Sequence, residues 1–79
     1  MHEVRIYSRS NCHLCDVALE TLVSLQNEFE FTIDKQLIDG NSELEDKYGE
    51  SVPVILINDK PHDFFRVDPV RFRSAMSKL

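Results

Sequence analysis

Along this chain the spacing of hydrophobic residues switches between two and three-to-four, and each switch marks an element. Val4 and Ile6 alternate with Arg5 and Tyr7, a period of two that predicts a strand over residues 3–8. After the polar turn Ser8-Arg9-Ser10-Asn11, Leu14, Ala18, Leu22, Leu25 and Phe29 recur at three and four positions, one face of a helix over about residues 12–28. Asp16, Glu20, Ser24 and Asn27 fall on the opposite face. Phe31, Ile33, Leu37 and Ile38 predict a second strand, and the interruption at Asp34-Lys35-Gln36 points to an edge position or a bulge. Asp39-Gly40-Asn41 turns the chain. Ser42 and Glu45 then have the form of a capping box for a short helix with Leu44 and Tyr48 on its apolar side and Gly49 as its stop.

Residues 52–57 form a nearly continuous β-branched run, the pattern of a strand buried on both faces, with Pro53 at its start where proline is tolerated. Asn58-Asp59-Lys60 turns the chain back into an antiparallel strand over residues 61–66. There Phe64 and Phe65 are expected on opposite faces, one in the core and the other beside the site. Asp68-Pro69 starts a last helix, carboxylate as cap and proline at the first position, with Phe72, Ala75, Met76 and Leu79 as its buried stripe. The order βαβαββα, read as two βαβ crossovers followed by a hairpin and a helix, predicts an α/β fold: a four-stranded mixed sheet with helices on both faces.

Seventy-nine residues make one domain, 1–79, and 42% hydrophobic with 29% charged residues is the composition of a folded globular chain. Fourteen acidic against nine scattered basic residues give a formal charge of −5, which argues against a nucleic-acid partner. No apolar run approaches the roughly 20 residues of a membrane span. Met1-His2-Glu3-Val4-Arg5 lacks a signal core, so a cytoplasmic location is expected. A monomer is the simplest assembly.

The chemistry is concentrated in Cys12-His13-Leu14-Cys15, the chain's two cysteines, at the junction of the first strand and helix. A helix start leaves N–H groups unpaired and carries the positive end of the dipole, which favours a thiolate at Cys12 as nucleophile. Cys15 comes round to the same side of the first turn, within reach of a disulfide. Two other readings compete with this dithiol switch: a pair of small buried hydrophobes, or a metal site drawing on His13, His2 or His62. No second Cys-x-x-Cys or His-x-x-x-His pair is present, and no metal is expected.

Tyr7-Ser8-Arg9-Ser10-Asn11-Cys12-His13-Leu14-Cys15, followed about forty residues later by Ser51-Val52-Pro53-Val54, resembles the thioredoxin-like superfold, in particular short glutaredoxin-like proteins. The resemblance covers essentially the whole chain. It implies a thiol–disulfide oxidoreductase with Cys12 as exposed nucleophile and Cys15 as buried resolving thiol. It also implies a cis Val52–Pro53 peptide beside the disulfide, with the Val52 backbone offering hydrogen bonds to an extended thiol substrate. Typical glutaredoxins have Cys-Pro-Tyr-Cys; here His13 and Leu14 border the substrate instead. Arg66-Val67-Asp68 replaces the usual Gly-Gly-Asp segment, with Asp68 in the acidic role and Arg9 in the carboxylate-pairing role. The implied partners are a disulfide-bearing protein or low-molecular-weight thiol, and glutathione or a thioredoxin-reductase-type donor as reductant, with no bound cofactor. The alternative is a thioredoxin-like binding module, or a metal-binding domain, that keeps the cysteines without turnover.

Overall fold

Two layers of helix enclose a four-stranded sheet in the computed structural model, which describes residues 2–79; Met1 lies outside them. The chain runs β1 (His2–Ser8), α1 (His13–Leu25), β2 (Phe31–Leu37), α2 (Ser42–Tyr48), β3 (Val54–Ile57), β4 (Lys60–Phe64) and α3 (Pro69–Ser77). The sheet order is β2-β1-β3-β4. β1 and β2 are parallel, from His2 beside Phe31 to Ser8 beside Leu37, whereas β3 is antiparallel to both β1 and β4.

The mixed sheet and the helices on both faces follow the expectation; the second crossover does not. β2 leads through α2 into a strand that runs against β1, so only the first connection is a βαβ unit. Hydrophobic spacing reports which side chains of a strand are buried and not the direction in which the strand runs, so the pattern of β3 is the same either way.

β3 is buried at all four positions because it is covered on both faces. Ile55 and Ile57 join Val4, Ile6, Ala18, Leu22, Leu25, Phe31, Phe72 and Met76 in the larger cluster, which α1 and α3 cover. Val54 and Leu56 turn the other way, into a smaller cluster with Ile38 and Tyr48 under α2. There the Tyr7 and Tyr48 rings stack with centroids 5.3 Å apart.

Local chemistry revises several boundaries. α1 ends at Leu25, and the chain tightens into i→i+3 bonds from Asn27 to Ser24 and Glu28 to Leu25. The α2 cap is Asn41, whose Oδ1 accepts from the Leu44 N–H at 3.2 Å, so Ser42 is the first helical residue. β2 is an edge strand with an unbroken register; the bulge lies between β3 and β4, at Ile55/Leu56. That bulge turns both Asp63, which is buried, and the His62 ring, packed edge-on against Phe72, toward α3. Phe64 therefore faces away from α3, and Phe65, past the end of β4 with a left-handed backbone, is outside the core as well; the two are 42% and 54% exposed. Leu14 and Leu79, at the ends of their helical stripes, also run off the core.

Candidate active site

The carboxyl end of β1 opens into the turn Arg9-Ser10-Asn11, in which Asn11 takes a left-handed backbone, φ 57°, that asparagine tolerates better than most residues. This kink brings Cys12 to the N-cap of α1 with an extended backbone. Caps are normally Ser, Thr, Asp or Asn, whose side-chain oxygen accepts a free helix N–H. Here sulfur does so: Cys12 Sγ accepts from the Cys15 N–H at 3.2 Å. Cys12 is half-buried and Cys15 is 2% exposed, their Cα atoms are 5.2 Å apart, and the sulfurs lie in disulfide contact.

The sheet register sets which residues share the end of the sheet from which this turn leaves. Tyr7 lies opposite Val54, and Val54 opposite Phe64, so the next row across the sheet end holds Ser8, Pro53 and Phe65. The Phe65 N–H donates to the Pro53 carbonyl at 2.8 Å and to that of Ser51 at 3.3 Å, which ties the end of β4 to the segment before β3. The Val52–Pro53 peptide is cis. Pro53 is buried and Val52 half-buried, and among the described residues the Val52 N–H and C=O have no backbone partner. His13 and Leu14, between the cysteines, are exposed, Leu14 by 54%.

Arg9 and Asp68 are both engaged by partners within the chain. Arg9 donates through Nε to Asp39 Oδ1 at 3.0 Å, through Nη2 to Glu45 Oε1 at 3.2 Å and through Nη1 to the Gly49 carbonyl at 3.2 Å. Asp39 also accepts from the Ser10 hydroxyl and, at 2.8 Å, from the Ser10 N–H. These bonds from Ser10, with Arg9 beside them, lower the Asp39 carboxyl to about 2. The turn before Cys12 is thus strapped to the loop after β2 and to α2. Asp68 caps α3, its Oδ1 accepting from Val70 N at 3.0 Å and Arg71 N at 3.4 Å. Arg66 is exposed and makes no ion pair among the described residues.

The histidines do not gather around sulfur. His2 begins β1, roughly 20 Å from its far end by strand rise, and contacts Asn58, while His62 packs on Phe72. Among the described residues no three His, Cys, Asp or Glu side chains form a set able to hold a metal ion.

Sequence reasoning missed Asp39, Glu45 and Gly49 as partners of Arg9, and the left-handed backbone of Phe65. Asp39 sits in a segment read only as a turn, and nothing local signals a bond to a residue thirty positions earlier.

Comparison with known proteins agrees with this geometry. The model of the glutaredoxin-like domain family (DUF836) matches residues 3–77. An uncharacterized protein of Mycobacterium tuberculosis is 30% identical, over 96% of this chain and 84% of its own length. The solution structure of a protein from Nitrosomonas europaea superposes with a TM-score of 0.85 at 28% identity, covering 95% of this chain and 91% of that one. E. coli glutaredoxin shares the fold, with a TM-score of 0.60 at 21% identity over 96% and 94% of the two chains. The architecture is thus thioredoxin-like. No helix among the described residues is long and apolar enough to cross a membrane.

Proposed function

The chain belongs to the glutaredoxin-like domain family, and from that premise we propose that it is a thiol–disulfide oxidoreductase with Cys12 as nucleophile and Cys15 as resolving thiol. The observation that carries this reading is the sulfur cap. The Cys12 sulfur accepts the Cys15 N–H at the helix start, on the dipole's positive end, a position that favours its thiolate once the disulfide is reduced, and Cys15 is buried.

The reaction balances in two displacements. The Cys12 thiolate attacks one sulfur of a substrate disulfide, forms a mixed disulfide and expels the other sulfur as a thiolate, which takes up a proton. Cys15 gives up its proton and attacks the Cys12 sulfur, closing the intramolecular disulfide and releasing the second substrate thiol. The substrate gains two electrons and two protons, and the cysteine pair loses them. An external thiol donor, two glutathione molecules or a dithiol reductase, restores the reduced pair. No metal or nucleotide takes part, and the cytoplasm, where such donors keep thiols reduced, is the fitting compartment.

His13, Leu14, Val52, Pro53 and Arg66 border the approach to the pair, and the unpartnered Val52 N–H and C=O suit an extended substrate backbone. Arg9 and Asp68 serve it indirectly, by holding the turn before Cys12 and the start of α3.

The test is a redox titration in glutathione buffers, read by intact mass after alkylation, together with turnover of a disulfide substrate. The wild type should lose two hydrogens reversibly, Cys15→Ser should accumulate mixed disulfides on Cys12, and Cys12→Ser should be inactive. Normal turnover by Cys12→Ser, or thiols that stay reduced throughout, would overturn the mechanism in favour of a binding module.

A further inference from the structure

Phe65 occupies a backbone conformation that its residue type disfavours. Its φ is +70°, in the left-handed region where glycine is the default and a bulky side chain is strained. The conformation is held by its bonds to the Pro53 and Ser51 carbonyls, both of which a glycine would make equally well. Nor does the ring serve the core, since it is 54% exposed. A strained, exposed aromatic beside Pro53, in the same row across the sheet as Ser8, has its use outside the fold.

The surroundings say what it meets. Phe64 is exposed next to it, and Leu14 and Val17 are exposed on α1 beside the cysteines. Arg9 is already matched by Asp39 and Glu45, but the exposed Arg66 directly follows Phe65, so charge alone does not select the partner and the exposed apolar side chains do. These exposed side chains favour an apolar stretch of polypeptide.

We propose that Phe65 is a specificity-determining residue: its ring receives the apolar side chain next to the substrate cysteine, so the protein prefers polypeptide disulfides with an apolar neighbour over those with a polar one. This rests on the oxidoreductase reading above.

Two disulfide-linked peptides, identical except for leucine or serine beside the cysteine, are compared as substrates of the wild type, Phe65→Gly and Phe65→Tyr. A third peptide, leucine-flanked with serine in place of cysteine, is titrated by NMR to read binding without chemistry. The wild type should favour the leucine peptide by about tenfold in kcat/KM, the low end for an apolar contact because the ring is open to solvent. Phe65→Gly should bring that ratio near one and weaken the serine-peptide titration without lowering Tm, and Phe65→Tyr should keep the preference. An unchanged ratio in Phe65→Gly, no preference in the wild type, or a melting temperature lowered in Phe65→Gly would overturn the proposal while leaving the oxidoreductase reading intact. A wild type that reduces no disulfide yet binds the serine peptide through Phe65 would overturn the redox reading and retain the docking role.

Discussion

Replacing Asp68 separates two roles that one carboxylate can play. In the structure its Oδ1 satisfies the Val70 and Arg71 N–H groups, and Pro69 at the first helical position has no N–H to offer. Asp68→Ala leaves both donors without a protein acceptor, which costs about 1 kcal/mol at a typical N-cap. That loss is felt by the whole molecule, because the helix it frays inserts Phe72 and Met76 into the larger core cluster. In a domain of this size about 1 kcal/mol lowers Tm by roughly 4–8 °C. Asp68→Asn keeps a capping oxygen and removes only the charge at the dipole's positive end, worth about 0.3–1 kcal/mol, so its melting should lie between the other two. The assay is thermal melting by circular dichroism alongside kcat/KM for a disulfide substrate. If Asp68 acts as a cap, Asp68→Asn should hold kcat/KM within about twofold of the wild type. An Asn variant that melts normally but loses activity tenfold or more would show the carboxylate touching substrate; an Ala variant that melts like the wild type would refute the cap.

Two further outcomes concern pH. Burial pushes the His62 imidazole below its ordinary value, with Asp63 working the other way, so the unfolded chain binds this proton more readily than the folded one. Stability should therefore fall as pH drops through about 6.5, and His62→Phe should flatten melting curves recorded between about pH 7 and 5; an unchanged slope would refute the assignment. Asp39, held down to about 2, contributes stability that is fully present above its unfolded value of roughly 3.9 and fades as acid approaches 2. Asp39→Asn should remove that acid-sensitive part and, by loosening Arg9 and Ser10, slow disulfide turnover; identical acid melting profiles would exclude it.

Much of this molecule was legible because much of it is local. The alternation at Val4 and Ile6, the three-and-four spacing through Ala18, Leu22 and Leu25, and the unbroken run into Ile57 each report burial through the geometry of a single element. The position of the cysteine pair followed from the same patterns. What escaped depends on partners distant in sequence. Whether β3 runs with or against β1 does not show in its own residues, because a run buried at every position reads the same in either direction. Phe65 lies outside the core because β4 ends at Phe64 and the backbone of Phe65 turns left-handed, a change that alternation does not signal. Leu14 obeys helical spacing yet sits one turn beyond the end of the core, beside Cys12, where spacing alone cannot separate a packing residue from an exposed one.

The pairing of Arg9 with Asp39 and Glu45 changes where the electrostatics at Cys12 come from. Read along the chain, a guanidinium three residues before Cys12 is a source of positive potential. In the fold its charge faces the carboxylates of Asp39 and Glu45 at hydrogen-bond distance, and that group of three sums to a negative charge. Support for an anionic Cys12 sulfur therefore falls to the Cys15 N–H and the helix start, short-ranged sources that move with the sulfur because they belong to the same turn of chain. Arg9 and Asp39 secure the position of that turn, since they fix Ser10 from outside while Asn11 supplies the left-handed kink. An arrangement of this kind leaves no free cation at Arg9, and under the proposed function the apolar side chains open to a substrate are those of Leu14 and Phe65.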